Sequence, residues 1–173
     1  RIVDDFLRKA FGPAAGTMGR FYEFIDGGQK QVGSAKAYQE SLDHMTPMPL
    51  QARRQAIMAG REDVRARIDD LLMWCWYIQL WINVRQTSGT ARAESRIQLT
   101  THTYRIRKTR MVNWGLFRSL EGGRDLVRQP KAEGLEPESD TITRKEIERI
   151  VEWMSGGKRR PPSRAPGIEE ELE

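Results

Sequence analysis

The 173-residue chain has one cysteine, Cys75, and two histidines, His44 and His102. A single cysteine excludes an internal disulfide and any multi-cysteine metal site. Cys75 lies in the most apolar stretch, so a buried, inert thiol is expected rather than a nucleophile. Neither histidine has a cysteine or carboxylate at a recognisable ligand spacing, and both are read as surface or capping residues. The chain has no Gly-rich phosphate loop, no G-x-S-x-G and no H-E-x-x-H. With no reaction signature, the expectation is a protein that is not an enzyme and uses no metal or cofactor. No N-x-Ser/Thr sequon occurs, because neither Asn83 nor Asn113 fits. Arg1 to Phe11 carries Asp4, Asp5, Arg8 and Lys9 among its apolar residues, unlike a signal peptide. The expected location is inside a cell or virion, without secretion.

Long apolar runs are also scarce. The longest, Leu71 to Val84, is broken only by Gln79 and Asn83 and holds three of the five tryptophans. At 14 residues between Asp69-Asp70 and Arg85, it is too short to span a bilayer. An element apolar on every side is normally buried on every side. The run therefore reads as the end of a central helix from about Leu50 to Gln86, roughly 55 Å if unbroken. Gly60 is an expected kink or break. A buried strand is the rival reading, since Trp, Tyr, Ile and Val also favour sheets.

The remaining elements are mostly helical. Ile2–Phe11 has apolar residues at helical spacing and acidic residues in its first turn, and Gly12-Pro13 stops it. Met18–Ile25 repeats the pattern. Ser34 is expected to cap a helix running to Met45, and Thr46-Pro47-Met48-Pro49 reads as a breaker. Arg96–Arg107 is the best strand candidate, but Ile97 and Leu99 alternate in the opposite phase to Tyr104 and Ile106, which implies a bulge, a tight turn near Thr100-Thr101, or no strand at all. Met111–Leu120 returns to helical spacing. Thr143 and Glu146 fit a capping box for a last helix ended by Gly156-Gly157. The fold class is thus mainly α, a helical bundle around a central apolar helix (about 50–86), with one short β-hairpin near 96–107 as an option. The expected organisation is a helical core over 1–131, a linker over 132–140, a C-terminal helix over 141–156 and a disordered tail over 157–173.

Function is written in the charge distribution. Residues 85–131 hold 11 basic and 3 acidic side chains, whereas residues 132–173 hold 7 basic and 11 acidic. The basic segment alternates arginines with aromatics: Arg96, Arg105, Arg107, Lys108, Arg110 and Arg118 with Tyr104 and Trp114. A guanidinium donates two parallel hydrogen bonds to a phosphate, and exposed rings stack on unpaired bases. As a strand, this segment would place Arg105 and Arg107 on one face. The leading expectation is a structural protein that grips nucleic acid, RNA before DNA, without sequence readout, in a nucleocapsid-like or genome-packaging role and as a homo-oligomer. The alternative is an interaction or matrix-type assembly module whose basic patch meets an acidic partner, an anionic membrane (the less favoured target) or the acidic C-terminal segment of the same or a neighbouring chain. Arg53, Arg54, Arg61, Arg65 and Arg67 offer a second basic surface, although Arg65 and Arg67 have acidic partners at i,i+4, Asp69 and Asp63. Glu62/Asp63 and Asp69/Asp70 resemble metal-binding carboxylates, but the intervening arginines would repel a cation.

Overall fold

The computed structural model describes residues 2–27, 34–109, 111–120 and 141–156, with side chains excepted at 118–120. The expected loop at Gln29–Gly33, residue Arg110, the Arg118 side chain, the 132–140 linker and the 157–173 tail lie outside the described residues. The chain is mainly helical. Its α-helices are α1 (Ile2–Phe11), α2 (Ala15–Asp26), α3 (Ala35–Met45), α4 (Pro47–Met58), α5 (Glu62–Gln86), α6 (Gly89–Ile106), α7 (Trp114–Leu120) and α8 (Arg144–Ser155), with single 3₁₀ turns at Gly12–Ala14 and Arg107–Thr109.

The chain breaks helix where the sequence suggested, α3 ending at Met45, but Pro47 itself opens α4, ahead of the start expected near Leu50. It occupies the first turn of α4, where its missing N–H costs nothing and its fixed φ suits a helix start. Thr46 ends α3 and begins α4, donating its hydroxyl to the Leu42 carbonyl at 2.7 Å. The 50–86 stretch is two helices. Gly60 adopts φ +64, the left-handed conformation that favours glycine. Around it, Arg61 N–H donates to Ala56 O (2.9 Å) and Gly60 N–H to Ile57 O (3.0 Å), the paired bonds of a Schellman motif.

α5 is 25 residues long and contacts α3, α4, α6 and α8. Its apolar run is not buried all round. Leu71, Leu72, Cys75, Trp76, Leu80 and Ile82 are buried, while Trp74, Tyr77, Ile78 and Trp81 are half-buried. The two polar residues of the run explain one side of it. Gln79 and Gln39 of α3 exchange amide hydrogen bonds at 3.0 and 3.1 Å, Gln79 Nε2 also donates to Asn83 Oδ1 at 3.1 Å, and Gln39 Nε2 donates to Asp43 at 2.8 Å. Buried amides require such partners, and here they fix the register of α3 on α5.

No hairpin forms at 96–107; the segment is helix through Ile106 and then a 3₁₀ turn. The phase flip that disturbs a strand is natural in a helix. Leu99, Thr103 and Ile106 recur at spacings of four and three and are buried, matching the 3.6-residue period. The β-branched threonines are accommodated by back-bonding: Thr103 Oγ donates to the Leu99 carbonyl at 2.6 Å.

Candidate nucleic-acid interface

Helix α6 divides the basic segment. At its start, with the end of α5, stand Arg85, Arg92 and Arg96; at its end stand Arg105, Arg107 and Lys108. Along the helix axis Arg96 and Arg105 are roughly 14 Å apart, and Arg92 and Arg105 roughly 20 Å. Arg92 and Lys108 are exposed, and Arg96 is half-buried. The Arg85 guanidinium lies 4.8 Å from the Trp81 ring centroid.

Arg105 and Arg107 do not share a face. Two residues of helix rotate a side chain by about 200°, and the two arginines go to different partners. Arg105 meets α8, donating to both Glu146 carboxylate oxygens at 2.6 and 2.7 Å and to the Thr141 carbonyl at 2.7 Å. Glu146 is also the capping-box residue of α8, accepting from the Thr143 backbone N–H at 2.8 Å. Burial raises the Glu146 carboxyl, but the hydrogen bonds from Arg105 and Thr143 outweigh it and hold the pKa at about 2. Arg107 instead folds back over Tyr104, 3.6 Å from the ring centroid, and donates to the Tyr104 carbonyl at 2.6 Å. Tyr104 meets Trp114 edge-on at 5.4 Å, and Trp114 stacks on buried Phe117 at 5.7 Å. The aromatic residues of the basic segment therefore form one ladder with Arg107 at its end.

The second basic surface is split: Arg54, Arg61 and Arg67 are exposed, whereas Arg53 and Arg65 are buried. Arg53 and Arg65 are each 6% exposed. Arg53 donates to Asp69 and Glu148, both at 2.6 Å. Arg65 bonds Glu62 through Nε at 2.8 Å and Glu148 at 3.2 Å, with Asp69 at 3.7 Å. This network ties α4 and α5 to α8. The hydrogen bond from Arg53, with Arg65 and Arg144 nearby, holds Glu148 below the ordinary carboxylate range, whereas burial raises Asp69 against the pull of Arg53. Arg67 pairs with Asp63 at 3.4 Å and donates to the Ala10 carbonyl at 2.7 Å near the end of α1. Glu62, Asp63 and Asp69 are thus bonded to arginine, and no group of three or more His, Cys, Asp or Glu suited to a metal occurs among the described residues.

His102 is neither a surface nor a capping residue. It is buried against α5, with Nε2 2.9 Å from the Met73 carbonyl. A carbonyl only accepts, so Nε2 carries the proton. Burial lowers the His102 pKa to about 4, so the ring is neutral at pH 7. Burial likewise pushes the Cys75 thiol up to about 12, which fits an inert core thiol.

Sequence reasoning paired Arg65 with Asp69 but missed their links to Arg53 and Glu148, and it missed the Gln39–Gln79–Asn83 ladder. The ladder had a signal, two lone amides four residues apart in an apolar run; the links to Glu148 had none, because Glu148 is 95 residues from Arg53. Among the described residues no helix is long and apolar enough to cross a membrane. No family model, curated protein or solved structure matches the chain.

Proposed function

We propose that this chain is a structural protein that binds nucleic acid through phosphate contacts without sequence readout, single-stranded RNA being the favoured ligand. The observation that carries the reading is the arrangement at the end of α6. Arg107 sits over Tyr104, Trp114 abuts the same ring, and the Lys108 side chain is exposed beside them. Cations set among aromatic rings suit a backbone that alternates phosphates with stackable bases. Arg92 and Arg96 extend the cationic surface along α6. The helices packed on α5 then serve as a bundle-like scaffold, and a genome-packaging, nucleocapsid-like role fits such a scaffold carrying a non-specific grip.

Fluorescence anisotropy of the nucleic-acid-stripped protein with labelled single-stranded RNA, and with a matched DNA duplex, tests this across salt. The expected result is a linear fall of log affinity with log salt, reflecting several phosphate contacts. Replacing Arg107 and Lys108 by alanine weakens binding to every sequence and flattens that slope. Absence of binding at low salt overturns the reading.

The second reading is an assembly module whose arginines take carboxylates in place of phosphates. The Arg105–Glu146 pair favours it, because the acidic C-terminal segment already supplies one such partner within the chain.

A further inference from the structure

We propose that α1 is a self-association helix, its outward face pairing antiparallel with the same face of a second copy of the chain. The helix is apolar over a wider sector than the fold covers. Leu7 and Phe11 are buried, but Ile2 is 89% exposed, Val3 64% and Phe6 55%. At 100° per residue, Ile2, Phe6, Ala10 and Val3 form one stripe about 100° wide beside the buried face. Large apolar side chains grouped in this way, rather than scattered singly, mark an interaction surface.

The charges on α1 select the occupant. Asp4 and Asp5 stand in its first turn, and Arg8 and Lys9 in its last. A helix acidic at one end and basic at the other complements its own antiparallel copy and repels a parallel one. Asp5 and Lys9 flank the apolar stripe on the same side and pair within the helix at 2.8 Å. A two-fold axis near Phe6 sets Ile2 of each copy against Ala10 of the other. It also brings Asp5 of each beside Lys9 of the other, so the contact is isologous and closed. A lipid surface fits less well, because membrane-lying helices carry an excess of Lys and Arg on their polar face, and α1 carries two charges of each sign. One short helix falls below the roughly 800 Å² per partner of a standard interface, so the association is weak and concentration-dependent. The inference does not rest on the nucleic-acid reading.

Sedimentation equilibrium of the full chain, stripped of nucleic acid, from micromolar to near-millimolar concentration tests it. The expected mass rises from 20.0 kDa toward the dimer. Phe6→Glu weakens association by about tenfold or more and, being at an exposed position, leaves the circular dichroism spectrum unchanged. Asp5→Lys and Lys9→Asp each associate less than the native chain, and their equimolar mixture recovers association because only the mixed pair is complementary. Three results overturn the proposal: a mass of 20.0 kDa at every concentration, native association by Phe6→Glu, or a mixture no more associated than its components. Flotation with phosphatidylserine vesicles that Phe6→Glu abolishes, in a chain that stays monomeric, would also overturn it by assigning the face to lipid.

Discussion

Arg105 of α6 and Glu146 of α8 meet through two hydrogen bonds of 2.6 and 2.7 Å, so the first arginine of the densest basic run is bonded to the acidic C-terminal region of its own chain. The carboxylate stands where a phosphate would stand. Helix α8 therefore competes with any polyanion for Arg105.

Glu146→Gln tests that competition. Glutamine can still serve the capping box but carries no charge for Arg105. The variant is expected to lose about 1–3 kcal/mol of stability, measured by thermal or urea unfolding. Its RNA affinity should rise severalfold, with a salt slope steeper by about one phosphate contact. Unchanged affinity and slope would remove Arg105 from the interface.

Glu148→Ala removes the carboxylate that Arg53 and Arg65 share. Arg53 keeps Asp69 and Arg65 keeps Glu62, and Glu148 is itself 46% exposed, so the expected loss is about 1–3 kcal/mol. Glu40→Ala is the control: Glu40 pairs with Lys36 at 3.9 Å on the surface, and its removal should cost under about 1 kcal/mol. Equal unfolding midpoints for the two variants would refute the network's role.

Replacing Gln79 by leucine removes the hub of the amide ladder and leaves Gln39 and Asn83 short of partners, at an expected cost of about 1–3 kcal/mol. The Gln39→Leu, Gln79→Leu double variant should be more stable than the sum of the single effects, because it removes both ends of the reciprocal pair. Strict additivity in urea unfolding would contradict the geometry.

Stability should depend on acid in two stages. The His102 pKa is lowered to about 4 in the folded state, against about 6.5 unfolded. Between these values the unfolded chain binds the proton and the folded chain does not, so stability is full above about pH 6.5 and falls toward pH 4, by about 3 kcal/mol. Glu146 acts lower: its contribution is present above its unfolded value near 4.5 and is lost as pH falls through about 2. Urea titrations at successive pH values check both stages. His102→Asn should flatten the first and Glu146→Gln the second. A flat profile between pH 6.5 and 4 in the native chain would contradict a neutral, buried His102.

Local chemistry was legible in the sequence. Ser34 caps α3, its hydroxyl accepting from Ala37 N–H at 3.2 Å. Thr143 and Glu146 form the capping box of α8, and Gly60 ends α4. Each depends on neighbours within a few residues. Helix α6 was not legible, because Thr100, Thr101, Thr103, Tyr104 and Ile106 all favour strands in isolation. Packing against α5 overrides that preference by burying one helical face, as tertiary context routinely does. The burial of Arg53 and the commitment of Arg105 were illegible for a different reason: their partners lie 95 and 41 residues away, and a charge count does not say which charges meet.

That separation also sets an order in time. During synthesis, at about 5–20 residues per second, the segment carrying Arg53 precedes Glu148 by 95 residues. For roughly 5–20 s the growing chain holds Arg53 and Arg65 without the carboxylate they share. Asp69, only 16 residues after Arg53, arrives much sooner and partners it first. The α4–α5 pair can therefore assemble early, but it stays electrically incomplete until α8 is made and Glu148 completes the network.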